Sequence, residues 1–287
     1  MESASEALLA AGGTPPRAHR HPRLVVLASG DGWLVVAKPP RVISHRNAAH
    51  PREYAMLQRV RDQVGGRVWL VHRLDRATSG CQLFATRQSM AGPLSKALAA
   101  GQKSYLAMVR GWFKHEAPVT VDSPIKYPDG SFKDAHSEVH LLGRSHEPRC
   151  SLLHVLPFTG RHHQVRRHVR DLHHPVLRDG YHGDSRVNRW WRETYGMARL
   201  GLHAWRLALE LPDGGRLDVT CPLFVDHAVL WRRMPWWDAA VERFSGLAGD
   251  PLPLVDADAS VETHGAALGW RARQTPIGYT PPRARTS

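Results

Sequence analysis

Lysine is nearly missing from this chain: six residues of 287, the last at Lys133, beside 33 Arg. Acid is in deficit too, with 26 Asp+Glu against 39 Lys+Arg, a formal charge of +13 before the 19 His are counted. Cysteine occurs three times, at Cys81, Cys150 and Cys221, an odd and widely spaced set without a CxxC pair. That argues against a disulfide framework and against a zinc ribbon. No apolar run exceeds about five residues (24–28, 33–37), which excludes a helix crossing a membrane on about 20 apolar residues. The first residues carry Glu2 and Glu6 and lack the basic start and long apolar stretch of a secretory signal, so a cytoplasmic protein is expected.

What is present is enough for a core. The hydrophobic content is 42%, with ten Trp, six Tyr and six Phe, and the length suits one large domain or two small ones. A surplus of Arg in a compact cytoplasmic protein points to a polyanionic partner, nucleic acid above all, because guanidinium groups grip phosphate bidentately and stack on bases. A G+C-rich genome would enrich Arg in the same way.

Residues 1–20, rich in Ala, Gly, Pro and Ser, read as a flexible N-terminal tail, and 245–287 as a largely irregular C-terminal tail, docked if anywhere through Trp270. The expected domain is 21–244. Within it 24–28 and 33–37 flank Gly30-Asp31-Gly32 as a hairpin. Helices are expected over 53–64, stopped by Gly65-Gly66, over 91–100, over 162–172 and from Asp226 to Trp231. Strands are expected over 82–86, 104–109 and 151–156, and a hairpin over 203–220 around Pro212-Asp213-Gly214-Gly215. Hairpins mixed with helices indicate an α+β fold with a mixed, largely antiparallel sheet.

The densest chemistry lies in His72-Arg73-Leu74-Asp75-Arg76, followed by Thr78-Ser79-Gly80. Two flanking cations favour the ionised form of Asp75 and would make it available as a nucleophile or base. A turn-capping Asp would look the same. The stretch 159–178 holds five Arg, five His and one acid, Asp171. A helix facing phosphate suits it better than a metal site on His162, His163, His168, His173 and His174, since neither thiolates nor supporting carboxylates accompany them. Arg186, Arg189, Trp190, Trp191 and Arg192 interleave cations with rings, a pattern open between RNA stacking and core. His45 and His72 are open between base contacts and structural roles.

Four segments in order carry a resemblance. Lys38-Pro39-Pro40 with His45, His72-Arg73-Leu74-Asp75 with Thr78-Ser79-Gly80, Lys103/Tyr105/Ala107/Val109/Gly111, and Gly160-Arg161-His162-His163-Gln164-Val165-Arg166 with His174-Pro175 resemble the motifs of the RluA-type RNA pseudouridine synthases. The likeness spans roughly 24–235. Arg41 stands where that family has Gly, and Asp179 precedes Gly180 rather than following it. Arg167-His168 and the run His182-Gly183-Asp184 to Asn188 are most like the tRNA-modifying branch.

The resemblance implies the pseudouridine synthase fold with a central cleft, and isomerisation of a specific uridine, most like a T-stem uridine of tRNA. Large-subunit ribosomal RNA, or a silent RNA-binding scaffold, are the alternatives. It implies Asp75 as catalytic carboxylate, Tyr105 as the ring against the target base, Arg166 as the partner of Asp75 and Arg73 as the residue that displaces the target nucleotide. Arg76, Arg161, His163, Gln164, Arg167, Arg170, Arg189 and Arg192 are the further candidate RNA contacts. The isomerisation breaks N1–C1′ and forms C5–C1′ with nothing gained or lost, so neither cofactor nor metal is expected, and a monomer is.

Overall fold

A computed structural model describes residues 21–254. Its elements are β1 (Val26–Gly30), β2 (Trp33–Lys38), α1 (Met56–Val64), β3 (Trp69–Leu70), β4 (Ser79–Ala85), α2 (Gln88–Ala100), β5 (Gln102–Arg110) and β6 (Val119–Val121). There follow β7 (Ile125–Lys126), β8 (Phe132–Lys133), β9 (Ser137–Ser145), β10 (Cys150–Pro157), α3 (Gln164–Asp171) and α4 (Ser185–Tyr195). The order closes with β11 (Leu202–Glu210), β12 (Arg216–Thr220), α5 (Val225–Trp231) and α6 (Trp237–Arg243). The expected α+β class holds.

One sheet of ten strands runs β1-β2-β4-β11-β5-β10-β9-β6, with β12 on β11 and β3 on β4. Every pairing in it is antiparallel except that of β4 with β11. Alternation along the strands divides the core between two faces. On one half, Leu34, Val36 and Phe84 cluster with Met56 and Val60 of α1, while Val35, Ala37, Leu83 and Ala85 cluster with Leu94 and Leu98 of α2. On the other half, Ala107, Val109, Leu153 and Val155 meet Val165 and Val169 of α3. The alternate residues Leu106, Met108 and Leu152 meet Trp191, Trp231 and Trp236. Thus α3 and α4 lie on opposite faces. All three cysteines are buried and free, Cys81 among the apolar residues of β4.

One reading left open is decided and one expectation is corrected. Trp191 is only 2% exposed and sits in the core, with Trp190 packed edge-to-face on it at 5.5 Å, so the paired Trp of α4 are core rather than an RNA platform. Helical spacing places residue 191 with Val187 one turn earlier, and that apolar stripe needed a sheet to cover it. The body also runs past 244. Leu247 is buried, and Leu252 bridges Phe224, donating its N–H to Leu223 and accepting from Val225. The expected anchor Trp270 lies outside the described residues. Among the described residues no helix is long and apolar enough to cross a membrane.

The parallel junction is tight. Gly80 has φ +122°, and a Cβ there would stand 2.1 Å from the carbonyl oxygen of Ala204. No side chain can move aside to relieve a backbone clash. Gly80→Ala is therefore expected to cost about 2–4 kcal/mol, from overpacking and from an unfavourable φ together. Gly66→Ala, with open space around it, should be close to neutral. Urea melts of the two variants check this, and equal midpoints would refute it.

Candidate active site

Strand β4, with Gly80 at positive φ, follows a loop, 71–78, that is tied down at several points. Ser44 Oγ donates to the carbonyl of Leu74 at 2.9 Å and accepts its N–H at 3.1 Å. Lys38, the last residue of β2 and wholly buried, donates from Nζ to the carbonyls of Pro39, Arg76 and Thr78 at 2.9, 3.2 and 2.7 Å. Burial first, and the charge of Arg199 second, push its ammonium down to about 7. Below the loop Ser79 Oγ meets His203 Nδ1 at 2.9 Å and accepts from Arg199 Nη1 at 3.0 Å. Arg199 in turn is clasped by the carboxylate of Asp226. The Lys-Pro segment thus acts as a strut for the loop rather than as a surface motif.

Asp75 stands at the crest of this loop with its side chain 29% exposed. Arg166 Nη1 reaches across from α3 and donates to Asp75 Oδ2 at 2.8 Å. The same guanidinium donates to Asp179 through Nε at 2.7 Å and Nη2 at 2.8 Å. Asp179 is fully buried and also accepts the N–H groups of Tyr181 and His182. Burial alone would raise its carboxyl, but the guanidinium and those N–H donors outweigh it and hold it below the ordinary carboxylate range. For Arg166, burial works against the charge, yet the two carboxylates win and its pKa lies above the ordinary value. One planar cation therefore bridges a buried acid and a half-exposed one, which fixes the direction of the Asp75 carboxylate.

Asp179 did not stand out in the sequence as a site residue. The available signal was an acid close behind His174-Pro175 in a stretch otherwise nearly all cationic. Asn188, four residues after the α4 cap Asp184, locks the same turn: its Nδ2 donates to the Asp179 carbonyl at 2.7 Å and its Oδ1 accepts from Arg178 N at 2.7 Å.

Above the pair opens a cleft of about 760 Å³, within the range of small-molecule sites. Tyr105 forms part of its wall, and its phenol is pushed up by burial and then by the Asp75 carboxylate, so it stays protonated. Arg73, Arg76, Arg161, His162, His163 and Gln164 also line it. Arg73 is exposed, and Arg76 donates to the carbonyl of Arg41 at 3.1 Å. Gln164 is a correction. It is buried, its Oε1 accepts from Thr159 Oγ1 and Arg161 N, and its Nε2 donates to the His136 carbonyl and Ser137 Oγ. With its hydrogen bonds spent inside, it shapes the cleft wall and has no capacity left for RNA.

His163 has left-handed backbone (φ 55°) at the start of α3, and its Nε2 lies 3.7 Å from Asp75 Oδ2. Burial outweighs the pull of Asp75 and lowers its imidazole to about 4, so at neutral pH it is an uncharged neighbour, not an ion-pair partner. The five His of 159–178 do not converge: His168 is buried beside the Ser123 carbonyl, and His174 bonds the Arg110 carbonyl. His72 is likewise structural, its Nε2 accepting from Leu83 N at 3.0 Å.

Four predicted contacts stay outside the cleft. Arg167 donates to the Lys126 carbonyl, and Arg170 pairs with its neighbour Asp171. Arg189 and Arg192 are exposed on α4, on the sheet face opposite α3, and Arg192 lies beside Glu193. Helix periodicity put Arg166 and Arg170 one turn apart on α3, but only the first meets a carboxylate across the fold.

Comparison with known proteins agrees with this architecture. Residues 32–171 match the family model described as RNA pseudouridylate synthase. A "tRNA pseudouridine synthase C" of Pasteurella multocida is 36% identical over 213 residues, covering 66% of this chain and 86% of that one. A protein of the same description from Pectobacterium carotovorum is 33% identical over 214 residues, covering 67% of this chain and 57% of its own length. The solved structure of human RNA pseudouridylate synthase domain containing 1 superposes with a TM-score of 0.57 at 24% identity, over 70% of this chain and 83% of that chain, and shares the fold. With the motifs, the fold and a relative matched over most of its length in accord, this chain belongs to the RNA pseudouridylate synthase family, the isomerases that turn uridine in RNA into pseudouridine.

Proposed function

We propose that this protein isomerises a uridine of tRNA, in the T stem, and that Asp75 is its catalytic carboxylate. The observation that carries the reading is the Asp75 carboxylate, held at 2.8 Å by the buried Arg166 at the base of the cleft, with Tyr105 in the wall. The relatives described as tRNA pseudouridine synthases support the choice of RNA.

The chemistry needs little else. The N1–C1′ bond breaks, the uracil turns while retained, C5 bonds to C1′, and the C5 proton is finally replaced by one on N1. Attack at C1′ and removal of the 2′ proton both call for a carboxylate beside the sugar, and Arg166 orients that of Asp75. Tyr105 offers the loosened base a flat, protonated platform. Bringing the sugar to Asp75 requires the nucleotide to leave its stack, at about a few kcal/mol. Arg73, exposed and two residues before Asp75, is placed to fill the vacated space.

Action as a monomer in the cytoplasm is part of this proposal. Pseudouridine mapping by carbodiimide sequencing, with and without the gene, tests the reading. Loss of one T-stem pseudouridine is expected. Loss of a site in large-subunit ribosomal RNA, or no loss, would overturn it.

Phosphate contacts belong to the rim of the cleft. Arg73→Ala with Arg76→Ala should flatten the log–log salt dependence of tRNA binding by about 1.4–1.8, two contacts at about 0.7–0.9 each. Arg189→Ala with Arg192→Ala should leave the slope and the melt unchanged. Filter binding at several salt concentrations distinguishes the pairs, and a slope change from the α4 pair would show that RNA wraps to the far face.

A further inference from the structure

Tyr181 has no packing reason for its position. Its side chain is 84% exposed, the most open of the large apolar and aromatic side chains among the described residues. Yet its root is fixed. Its N–H donates to Asp179 Oδ1 at 2.9 Å, and Asp179 is the buried acid that grips Arg166. The ring therefore hangs at the cleft mouth on the same anchor that sets the direction of the Asp75 carboxylate.

The surroundings of the ring are aromatic and cationic. The Arg166 guanidinium lies 5.9 Å from its centroid, and His163 meets it edge-on at 5.7 Å. His162, itself exposed, stacks on His163 at 3.8 Å. His162 and His163 are both lowered from the ordinary histidine value, by burial first. At neutral pH they present uncharged aromatic surface rather than cations.

An exposed ring left in water costs solvation and contributes nothing to the core. A nucleic-acid groove uses such rings because every base has a π-face to lay on them. Arg166 contacts Asp75 with one nitrogen and lies near the Tyr181 ring, so the ring stands beside the residue that orients the Asp75 carboxylate.

We propose that Tyr181 is a stacking platform for an unpaired nucleobase next to the target uridine, gripping the strand where it enters or leaves the cleft. The inference rests on reading the cleft as a pseudouridine synthase site and adds that the neighbouring nucleotide is unstacked and held.

The test uses the full-length protein and T-arm stem–loop RNAs carrying 2-aminopurine, or an abasic residue, on the 5′ or 3′ side of the target. Wild type should quench one of the two 2-aminopurine probes. Tyr181→Ala should abolish that quench and weaken binding between about fivefold and a hundredfold, the range of base–aromatic stacking. Tyr181→Phe should restore both, and the melting temperature should not move, since the side chain is exposed. On the RNA abasic at the quenched position, wild type and Tyr181→Ala should bind alike.

Absence of quench in wild type, unchanged affinity in Tyr181→Ala, or an equal loss on the abasic RNA would overturn the inference. Turnover of the unmodified stem–loop by wild type is measured in parallel. Normal turnover with a silent Tyr181 sinks the platform alone, while no turnover sinks the functional reading.

Discussion

Asp75→Asn is expected to abolish pseudouridine formation, by at least about 10⁴-fold in the single-turnover rate, the order seen when the central reactive group of a site is removed. The amide keeps the size and shape of the carboxylate, and its oxygen can still accept from Arg166 Nη1. It cannot attack C1′ and cannot take the 2′ proton. The side chain is partly exposed and lies on a loop anchored by Ser44, Lys38 and Arg199 rather than by itself. The fold and tRNA affinity should therefore stay within a few-fold of wild type. Tritium release from 5-³H-uridine tRNA at saturating enzyme measures the rate. Appreciable release by Asp75→Asn would remove this residue from the chemistry.

Arg166→Met is expected to be the most damaging change on α3, and to act twice. It takes away the donor that orients Asp75, and it leaves Asp179, wholly buried, without its counter-ion. A buried charge stripped of its partner costs about 3–5 kcal/mol. Arg170→Met, one turn on, removes an exposed pair with the adjacent Asp171, worth about 0–1 kcal/mol. Kinetics on the folded fraction should show a steep rate loss for the first variant and near-wild-type behaviour for the second. Equal kinetics would mean that Arg166 does not serve Asp75.

The same pair gives a pH signature. The Asp179 carboxyl is depressed in the folded protein, so it releases its proton more readily there than in the unfolded chain. Its contribution is complete above the ordinary carboxylate value of about 4 and is lost as pH falls through the depressed one. Asp179→Asn should be less stable than wild type at neutral pH, with the gap narrowing in acid. A gap independent of pH would show that the ion pair is not what the variant lost.

Some of this was legible in the residues and some was not, and the division has a physical basis. Apolar runs marked β2, β4, β5, β10 and β11, and helical spacing marked α3, to within a few residues, because these strands are covered on both faces and α3 presents one apolar stripe. The short strands β3, β6, β7 and β8 have too few residues to show a period. In β9 His140 and Arg144 stand in the alternation, since its outer side is only half covered.

At the site, the motifs of the resemblance singled out Asp75, Tyr105 and Arg166, which the structure brings to one cleft. What the residues could not state was pairing across distance. Arg166 and Asp75 are 91 residues apart, and Arg166 and Asp179 are 13 apart around a helix end. For the same reason Gln164 looked like a polar contact until the strand end at Ser137 closed over it, and Trp190-Trp191 stayed open between platform and core until the sheet covered them. Composition and spacing determine which groups a segment can offer. Only the tertiary structure decides whether a guanidinium, an amide or a ring is used up by a partner inside or left free for RNA, because desolvation and hydrogen-bond satisfaction depend on neighbours that arrive from elsewhere in the chain.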